Sequence, residues 1–488
     1  MSISGAFANA LSGLAAAAKR SDIISGNVAN AMTEGYARQE VQLSAAVLEG
    51  RGAGVRIERV TRATDPRATA DRRAAQAESA ARGVTAKAQS RMSAVYGESG
   101  QAGALPQLAA TLETALRRLA DTPESEPLQA AALQAAMGLA RGVAQASAEF
   151  DRIRMDADAA IAREVETVND ALSEIERLNA EIKGVRAIGG STAALEQQRQ
   201  VQVDKIASIV PVRTVARDGD ALALYTANGA VLLDGRARRL EFTPTGMITP
   251  DMTLSSGALS GLSIDGRAIA AGREDESGPL DGGSLGAHFY VRDVLGPEAH
   301  AQIDALAADL IARFEDSSAD PTITPGAAGL FTDAGGPLDP SDLVGLAGRI
   351  AVNAQADPDN GGELWRLRDG LYASAPGDAA EDDVLRALVS RMTELRTPDA
   401  ASLVFADVGF SDLAARAAAV RAAEAGAADE AQALSAGRHE MFAEAEAAVV
   451  GVDTDEEMAA LMLVEQAYAA NARVLEVTDS LIKMLMEI

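Results

Sequence analysis

Both ends of the chain carry the same apolar rhythm, and that repetition limits the possible folds more than any other feature. At the N-terminus Ile3, Phe7, Ala10, Leu14, Ala17, Ser21, Ile24, Val28 and Ala31 recur at alternating steps of four and three, with Leu11 beside them. At the C-terminus Met458, Leu461, Val464, Tyr468, Asn471, Leu475, Thr478, Ile482 and Leu485 do the same. Such a heptad seam marks a helix that lies along another helix. Thirty residues of helix are about 45 Å long, too long and too narrowly striped to bury the seam alone. The ends also differ in charge. Residues 1–92 hold 13 basic and 8 acidic residues, net +5, whereas 381–488 hold 8 and 21, net −13. Opposite balances favour association of the two arms. The first and last helices are therefore expected to pair, with the chain leaving and returning at one end of an elongated molecule.

A third seam lies inside. Phe150, Ile153, Ala157, Ile161, Val165, Val168, Leu172, Ile175, Asn179 and Ile182 give a further helix that breaks at Gly189 and Gly190. Additional helices are predicted near Ala104–Leu119, Pro127–Gln145, Thr192–Ile209, Glu298–Phe314, Asp383–Leu395 and Ser411–Val450. Thr454 and Glu457 have capping-box spacing for the last helix. Between Pro211 and Gly286 the period changes. Val212–Val215, Ala221–Thr226, Ala230–Leu233, Leu240–Thr243 and Gly261–Ile264 read as short strands ended by Asn228-Gly229, Asp234-Gly235 and Asp265-Gly266. The expected class is mainly α, with paired terminal coiled-coil helices, a helical-bundle rod domain and a small inserted β domain. The expected boundaries are 1–45 with 453–488 for the paired termini, 46–210 with 287–452 for the rod, and 211–286 for the insert.

Composition excludes several functions. The 488 residues carry 44 basic and 71 acidic side chains, net −27, the wrong sign for a general nucleic-acid binder. Cysteine is absent, which removes disulfides, thiolate metal sites and a cysteine nucleophile. No run of 18 apolar residues exists, so no membrane-spanning helix is expected. Ala6–Ala18 is broken by Asn9, Ser12 and Gly13 and lacks the basic and leucine-rich regions of a cleaved signal.

The chemistry-bearing motifs are weak. Gly50-Arg51-Gly52-Ala53-Gly54 lacks the lysine of a P-loop and precedes a strand, Val55–Val60, so it reads as a turn entering a hairpin. His439-Glu440 begins a zinc motif, but Ala443 stands where the second ligand belongs. Asp357–Gly362 reads as a turn, because a calcium loop would need its glycine one place later and a glutamate at its twelfth position. No catalytic residue, cofactor or metal is expected. Ser21, Asn471 and Thr478 either set the register of a seam or mark where it drifts. Gly35-Tyr36 is either a helix C-cap with a packed aromatic or part of an interface.

Three stretches carry a family resemblance. Ala10-Leu11-Ser12-Gly13-Leu14 followed by Asn27-Val28-Ala29-Asn30-Ala31-Met32-Thr33-Glu34-Gly35-Tyr36-Ala37-Arg38-Gln39 resembles the N-terminal signature of bacterial flagellar axial proteins. Met32 replaces the usual asparagine and Glu34 the usual proline. Gly451–Glu457 and Gln466–Leu475 are similar to the C-terminal stretch of the hook and hook-associated members. Leu195–Arg199, Thr226–Gly229 and Gly283–Gly286 resemble segments of the hook–filament junction members. The resemblance implies a non-enzymatic structural protein of the flagellum, built as nested layers with the paired termini inside. It implies helical self-assembly, a hook protein below, a second hook-associated protein above, and a cytoplasmic export chaperone before secretion. It also implies extracellular residence after type III export without signal cleavage. Hook protein and the third hook-associated protein are the alternatives within the family; a peptidoglycan-cleaving flagellar enzyme is the alternative outside it. The expected assembly interface comprises Ile3, Phe7, Leu11, Leu14, Ile24, Val28, Asn30, Gly35, Tyr36, Met458, Leu461, Val464, Tyr468, Asn471, Leu475, Ile482 and Leu485. The arms are expected to order fully only against neighbouring copies.

Overall fold

Alanine and leucine give a helix its best intrinsic support, and runs of them without proline occupy most of this chain. The computed structural model describes residues 3–33, 35–48, 51–97, 100–269, 278, 280, 282–398 and 407–486. Among them the fold is mainly α with a few small sheets. The helices are α1 (Ile3–Ala29), α2 (Pro66–Tyr96), α3 (Leu105–Asp121), α4 (Glu126–Ala187), α5 (Ala193–Ile209), α6 (Gly283–Tyr290), α7 (Gly296–Phe314), α8 (Leu346–Arg349), α9 (Arg366–Asp369), α10 (Asp383–Thr393), α11 (Phe410–Val450) and α12 (Thr454–Met486). A hairpin of β1 (Gln39–Leu48) and β2 (Arg51–Arg62) follows α1. Strands β3 (Val212–Ala216), β4 (Leu222–Thr226), β5 (Val231–Asp234) and β6 (Arg236–Ala237) form an antiparallel sheet in chain order. Short strands β7 (Leu240–Glu241), β8 (Leu262–Ile264) and β9 (Arg267–Ile269) come next, and β10 (Phe331–Asp333) pairs with β11 (Ile350–Val352).

The predicted internal seam is real but its helix is longer than expected. Every apolar seam position from Phe150 to Ile182 is buried. The separate helix expected at Pro127–Gln145 is the start of the same α4, because Ala146-Ser147-Ala148-Glu149 contains neither proline nor glycine to stop it. Helix α2 lacks a clear sequence signal because its buried positions are mostly small: Ala75, Ala77, Ala86 and Ala88. Strand β1 was likewise not expected, and position 45 falls within it.

Contacts divide the chain into two compact units. The first comprises Met1–Ala80, Glu166–Leu240 and Leu434–Ile488. In it, two asparagines of α4 act as stand-ins for strand backbone. Asn179 Nδ2 donates to Leu222 O at 2.9 Å and Asn179 Oδ1 accepts from Leu222 N at 3.0 Å. Asn169 does the same with Leu240, at 2.8 and 2.9 Å. A primary amide matches a peptide unit in both roles, so each asparagine docks a strand on a helix. Arg72 bridges Glu446 of α11 and Asp204 of α5, the latter at 2.7 Å, which ties α2 to both.

The second unit comprises Ala81–Val165 and Glu241–Ala433. Its core joins Leu112, Leu116 and Leu119 of α3, Leu139 and Phe150 of α4, Leu306 and Phe314 of α7, Leu385 of α10 and Phe410 of α11. Buried arginines fasten its loops. Arg154 donates to Arg292 O, Thr249 O and Met252 O at 3.0, 3.0 and 2.5 Å. Arg292 is fully buried, pairs with Asp158 and Asp293 at 2.7 and 2.8 Å, and lies over the Phe242 and Phe289 rings. Arg313 reaches Arg391 O, Glu394 O and Val408 O at 2.9, 2.7 and 3.1 Å.

Breaking such a pair strands a buried carboxylate, which costs about 3–5 kcal/mol. Arg292→Leu is therefore expected to lower the unfolding free energy of the second unit by that amount, read as an earlier urea midpoint. The sole tryptophan, Trp365, belongs to this unit, so its fluorescence is the readout.

Candidate assembly interface at the paired termini

Helices α1 and α12 pack together within the first unit, and they run antiparallel. Gly13 stands beside Asn471, whereas Asn27 meets Glu457, so numbers rise along one helix as they fall along the other. Ala17 and Ile24 of α1 form a small buried cluster with Val464, and Ala460 and Leu461 pack against it.

One side chain pins the register. Asn27 is 1% exposed, and a primary amide offers two donors and two acceptor lone pairs. All are used. Asn27 Nδ2 donates to Glu457 Oε1 at 3.1 Å and to Gln39 O at 3.0 Å. Asn27 Oδ1 accepts from Tyr36 Oη and from Gln39 N, both at 3.0 Å. The end of α1, the following loop, the start of β1 and the first turn of α12 thus meet on one amide. Arg38 N donates to Val450 O at 2.9 Å beside it, and the Arg38 guanidinium pairs with Glu40 at 3.0 Å.

The Ser12-Gly13 step serves two neighbours. Ser12 Oγ accepts from Val55 N at 3.1 Å and donates to Asn9 O at 2.9 Å, fixing the hairpin on α1. Gly54 has φ 97° there, and a side chain on it would collide with Ser12 Oγ. A Cβ on Gly13 would lie 2.8 Å from the Asn471 amide atoms, so glycine admits the side chain of α12. Asn471 Nδ2 donates back to Ala467 O at 2.9 Å. Thr478, 4% exposed, donates back to Val474 O at 2.6 Å.

The predicted residues fall into three groups. Ile24 and Val464 are buried between the helices, and Leu461 packs on them. Leu14, Val28, Asn30, Tyr36, Asn471 and Leu475 are half-buried. Phe7, Leu11, Met458, Tyr468 and Ile482 are exposed, at 36–55%, and Gly35 is exposed too. These exposed residues do not lie in the seam between the two helices. A straight helix drifts about 20° per heptad from a seven-residue repeat, and α1 also turns a flank to the hairpin. The side chains of Ile3 and Leu485, and the residues Glu34 and Gly50, lie outside the described residues.

Two local readings change. Glu457 does not close a capping box with Thr454. Asp453 Oδ1 instead accepts from Asp455 N and Glu456 N at 2.9 and 3.2 Å, which frees Glu457 for Asn27. Gly35 is not the C-cap of α1, which ends at Ala29. It occupies the third position of a turn closed by Tyr36 N donating to Thr33 O at 3.1 Å, with φ 72°. Asn30, singled out from the sequence, only donates to Gly26 O at 2.9 Å in its own helix and accepts from Thr33. Asn27 stands in the same motif, and its role was legible only as one of several repeated asparagines.

Burial raises the Glu457 carboxyl above its usual range, against the Asn27 bond and the Arg38 charge. Burial and the Glu457 charge likewise raise the Tyr36 phenol. Elsewhere, burial lifts Glu164 to about 7 and lowers His288 to about 4. Among the described residues no three His, Asp or Glu side chains stand where they could hold a metal ion.

The Glu457 shift has a sign. Folded Glu457 keeps its proton to higher pH than the unfolded chain, so its contribution to stability is largest at low pH and declines as pH rises through the raised value. Glu457→Gln keeps an oxygen for Asn27 and removes the titration. It is expected to be more stable than the natural chain at neutral pH, with the gap closing on acidification. Asn27→Asp removes both donors and sets a second carboxylate against Glu457. It should cost about 3 kcal/mol in urea unfolding followed by circular dichroism, with recovery at low pH or together with Glu457→Gln.

Comparison with known proteins covers the same stretches. A family model of the flagellar hook-associated protein FlgK helical domain matches residues 89–329. Models of the flagella basal body rod protein and of the flagellar basal body rod FlgEFG protein C-terminal match residues 7–36 and 448–488. Flagellar hook-associated protein 1 of Bacillus subtilis is 24% identical over 93% of this chain and 92% of its own length. Flagellar hook-associated protein 1 of Escherichia coli is 29% identical over 49% of this chain and 44% of its own length. The solved flagellar hook junction protein FlgK from Burkholderia pseudomallei is 20% identical, covering 54% of this chain and 46% of that one with a TM-score of 0.43. With matches along nearly the whole sequence, the chain belongs to the flagellar hook-associated protein FlgK family, whose role in the flagellum is structural.

Proposed function

We propose that this chain is a structural subunit of the hook–filament junction and polymerises helically through its paired terminal helices. The observation that carries this reading is a second apolar stripe on α12. Leu463, Ala467, Ala470, Val474, Val477, Leu481 and Met484 recur at steps of four and three, and all are exposed. They sit two positions on from Leu461, which packs toward α1. Val464, Asn471 and Thr478, the residues turned toward α1, stand about 40–100° around the helix from their neighbours in this row, so the stripe runs along the open flank of α12 beside the seam. A monomer has no use for such a row in water, and exposed apolar rows mark contact surfaces.

Helix α1 has its own outer row, Ser4, Ala8, Leu11, Ala15, Ala18, Asp22 and Ser25, exposed throughout and built mostly of small residues. The two rows differ, so contacts between copies are head-to-tail and generate an open helix rather than a closed pair. In this reading 1–45 and 453–488 form the inner assembly layer, 46–210 and 287–452 the rod, and 211–286 the outer insert. The seventeen interface residues expected from the sequence act within that layer. Hook protein lies below, a second hook-associated protein above, and a cytoplasmic chaperone holds the chain before type III export to the cell exterior. The work is mechanical, and no step of it is enzymatic. The family membership and the relatives named hook-associated protein 1 support this assignment.

Val477→Glu with Leu481→Glu alters only exposed positions, so the monomer should fold as before. Cells relying on that variant are expected to make hooks without filaments and to lose filament subunits to the medium. Normal swimming by the variant would contradict the assignment.

A further inference from the structure

The hairpin β1–β2 is amphipathic in the wrong sense for a monomer. Along β1, Val41, Leu43, Ala45 and Val47 alternate with Gln42, Ser44 and Ala46, so the former share one face. The register places Leu43 opposite Ile57 and Ala45 opposite Val55, which puts those partners on the same face. Most of that apolar face is open to water. Leu43 is 38% exposed, Val47 64%, Val55 36% and Ile57 38%. The hairpin itself is not loose, since Ser12 Oγ holds Val55 N and a close approach at Gly54 seats it on α1.

We propose that this hairpin face docks on the outer stripe of α12 of a neighbouring copy, over Val474, Val477 and Leu481. The inference rests on the self-assembly reading and names the partner surface within it. Dimensions agree: Leu43 to Val47 spans about 13 Å at strand rise, and Val474 to Leu481 about 10 Å at helix rise. Charge selects α12 among the apolar rows of this unit. Gln39–Arg62 holds four arginines and three glutamates, net +1, while Thr454–Met486 holds six acidic and two basic residues, net −4. The outer row of α1 is accompanied by Lys19, Arg20 and Asp22, net +1, and a second hairpin is net +1; both repel. The hairpin of the same copy is seated on α1, and the stripe is open to water.

The chain has no cysteine, so single cysteines report contacts without background. Val47→Cys and Val477→Cys variants, each a full chain, are mixed, polymerised and oxidised, and a disulfide requires the two Cβ atoms to approach to roughly 4 Å. The expected result is a disulfide-linked dimer of the two variants in the pelleted polymer and none in the unpolymerised mixture. Mixing Val47→Cys with Ile188→Cys, an exposed position outside both surfaces, should give none. Crosslinking of Val47→Cys to itself, or to Leu11→Cys, in place of Val477→Cys would overturn the inference, as would polymer without any of these dimers. In each of those cases self-assembly itself stands. Failure of the natural chain to polymerise under any condition would overturn both readings.

Discussion

The pairing of α1 with α12 depends on the Asn27 amide. Four hydrogen bonds converge on one buried side chain, and they join segments 430 residues apart in sequence. A buried amide with all its donors and acceptors met is favourable only in one arrangement, because any slip leaves polar atoms unpaired at about 1–3 kcal/mol each. Apolar contact between α1 and α12 is small by comparison: Ala17, Ile24 and Val464 are its buried members. Alanine-rich helices can slide past one another at little cost. The asparagine fixes which turn of α12 meets which turn of α1, and the Gly13–Asn471 fit repeats that choice fourteen residues away.

Register at the seam determines what is left outside. Because α1 covers only one side of α12, the row from Leu463 to Met484 remains in water, as does the open face of the hairpin. A domain that buried everything it could would be a monomer. This pair of helices instead spends its limited apolar contact on being held in place, and it presents larger side chains outward. Under the proposed self-assembly, that division leaves the apolar rows free for contacts between copies.

Much of this was legible in the residues, and the exceptions have physical causes. The heptad steps predicted α1, α12 and the second half of α4, whereas α2 escaped because its buried face is mostly alanine and makes almost no contrast with its exposed face. The turn dipeptides Asn228-Gly229 and Asp234-Gly235 located β4 and β5, because such steps have few other uses. The same heptad counting assigned Tyr468 and Met458 to a covered seam, yet they are exposed; spacing gives a stripe but not the width of the partner that covers it. Polar pins were the least visible. Asn27, Asn169 and Asn179 look alike in sequence, and only the backbone they meet distinguishes a register pin from a strand mimic. The buried arginines Arg154, Arg292 and Arg313 look like surface charge until their carbonyl partners are placed.

The two faces of α12 give the most direct test. Single-cysteine variants Val464→Cys and Val477→Cys differ only in whether the thiol lies under α1 or on the open side. Maleimide labelling of each should be compared before and after polymerisation. The account predicts slow labelling at Val464→Cys in both states, and fast labelling at Val477→Cys in the monomer that becomes slow in the polymer. Equal rates at the two positions in the monomer, or a Val477→Cys thiol still open in the polymer, would contradict it.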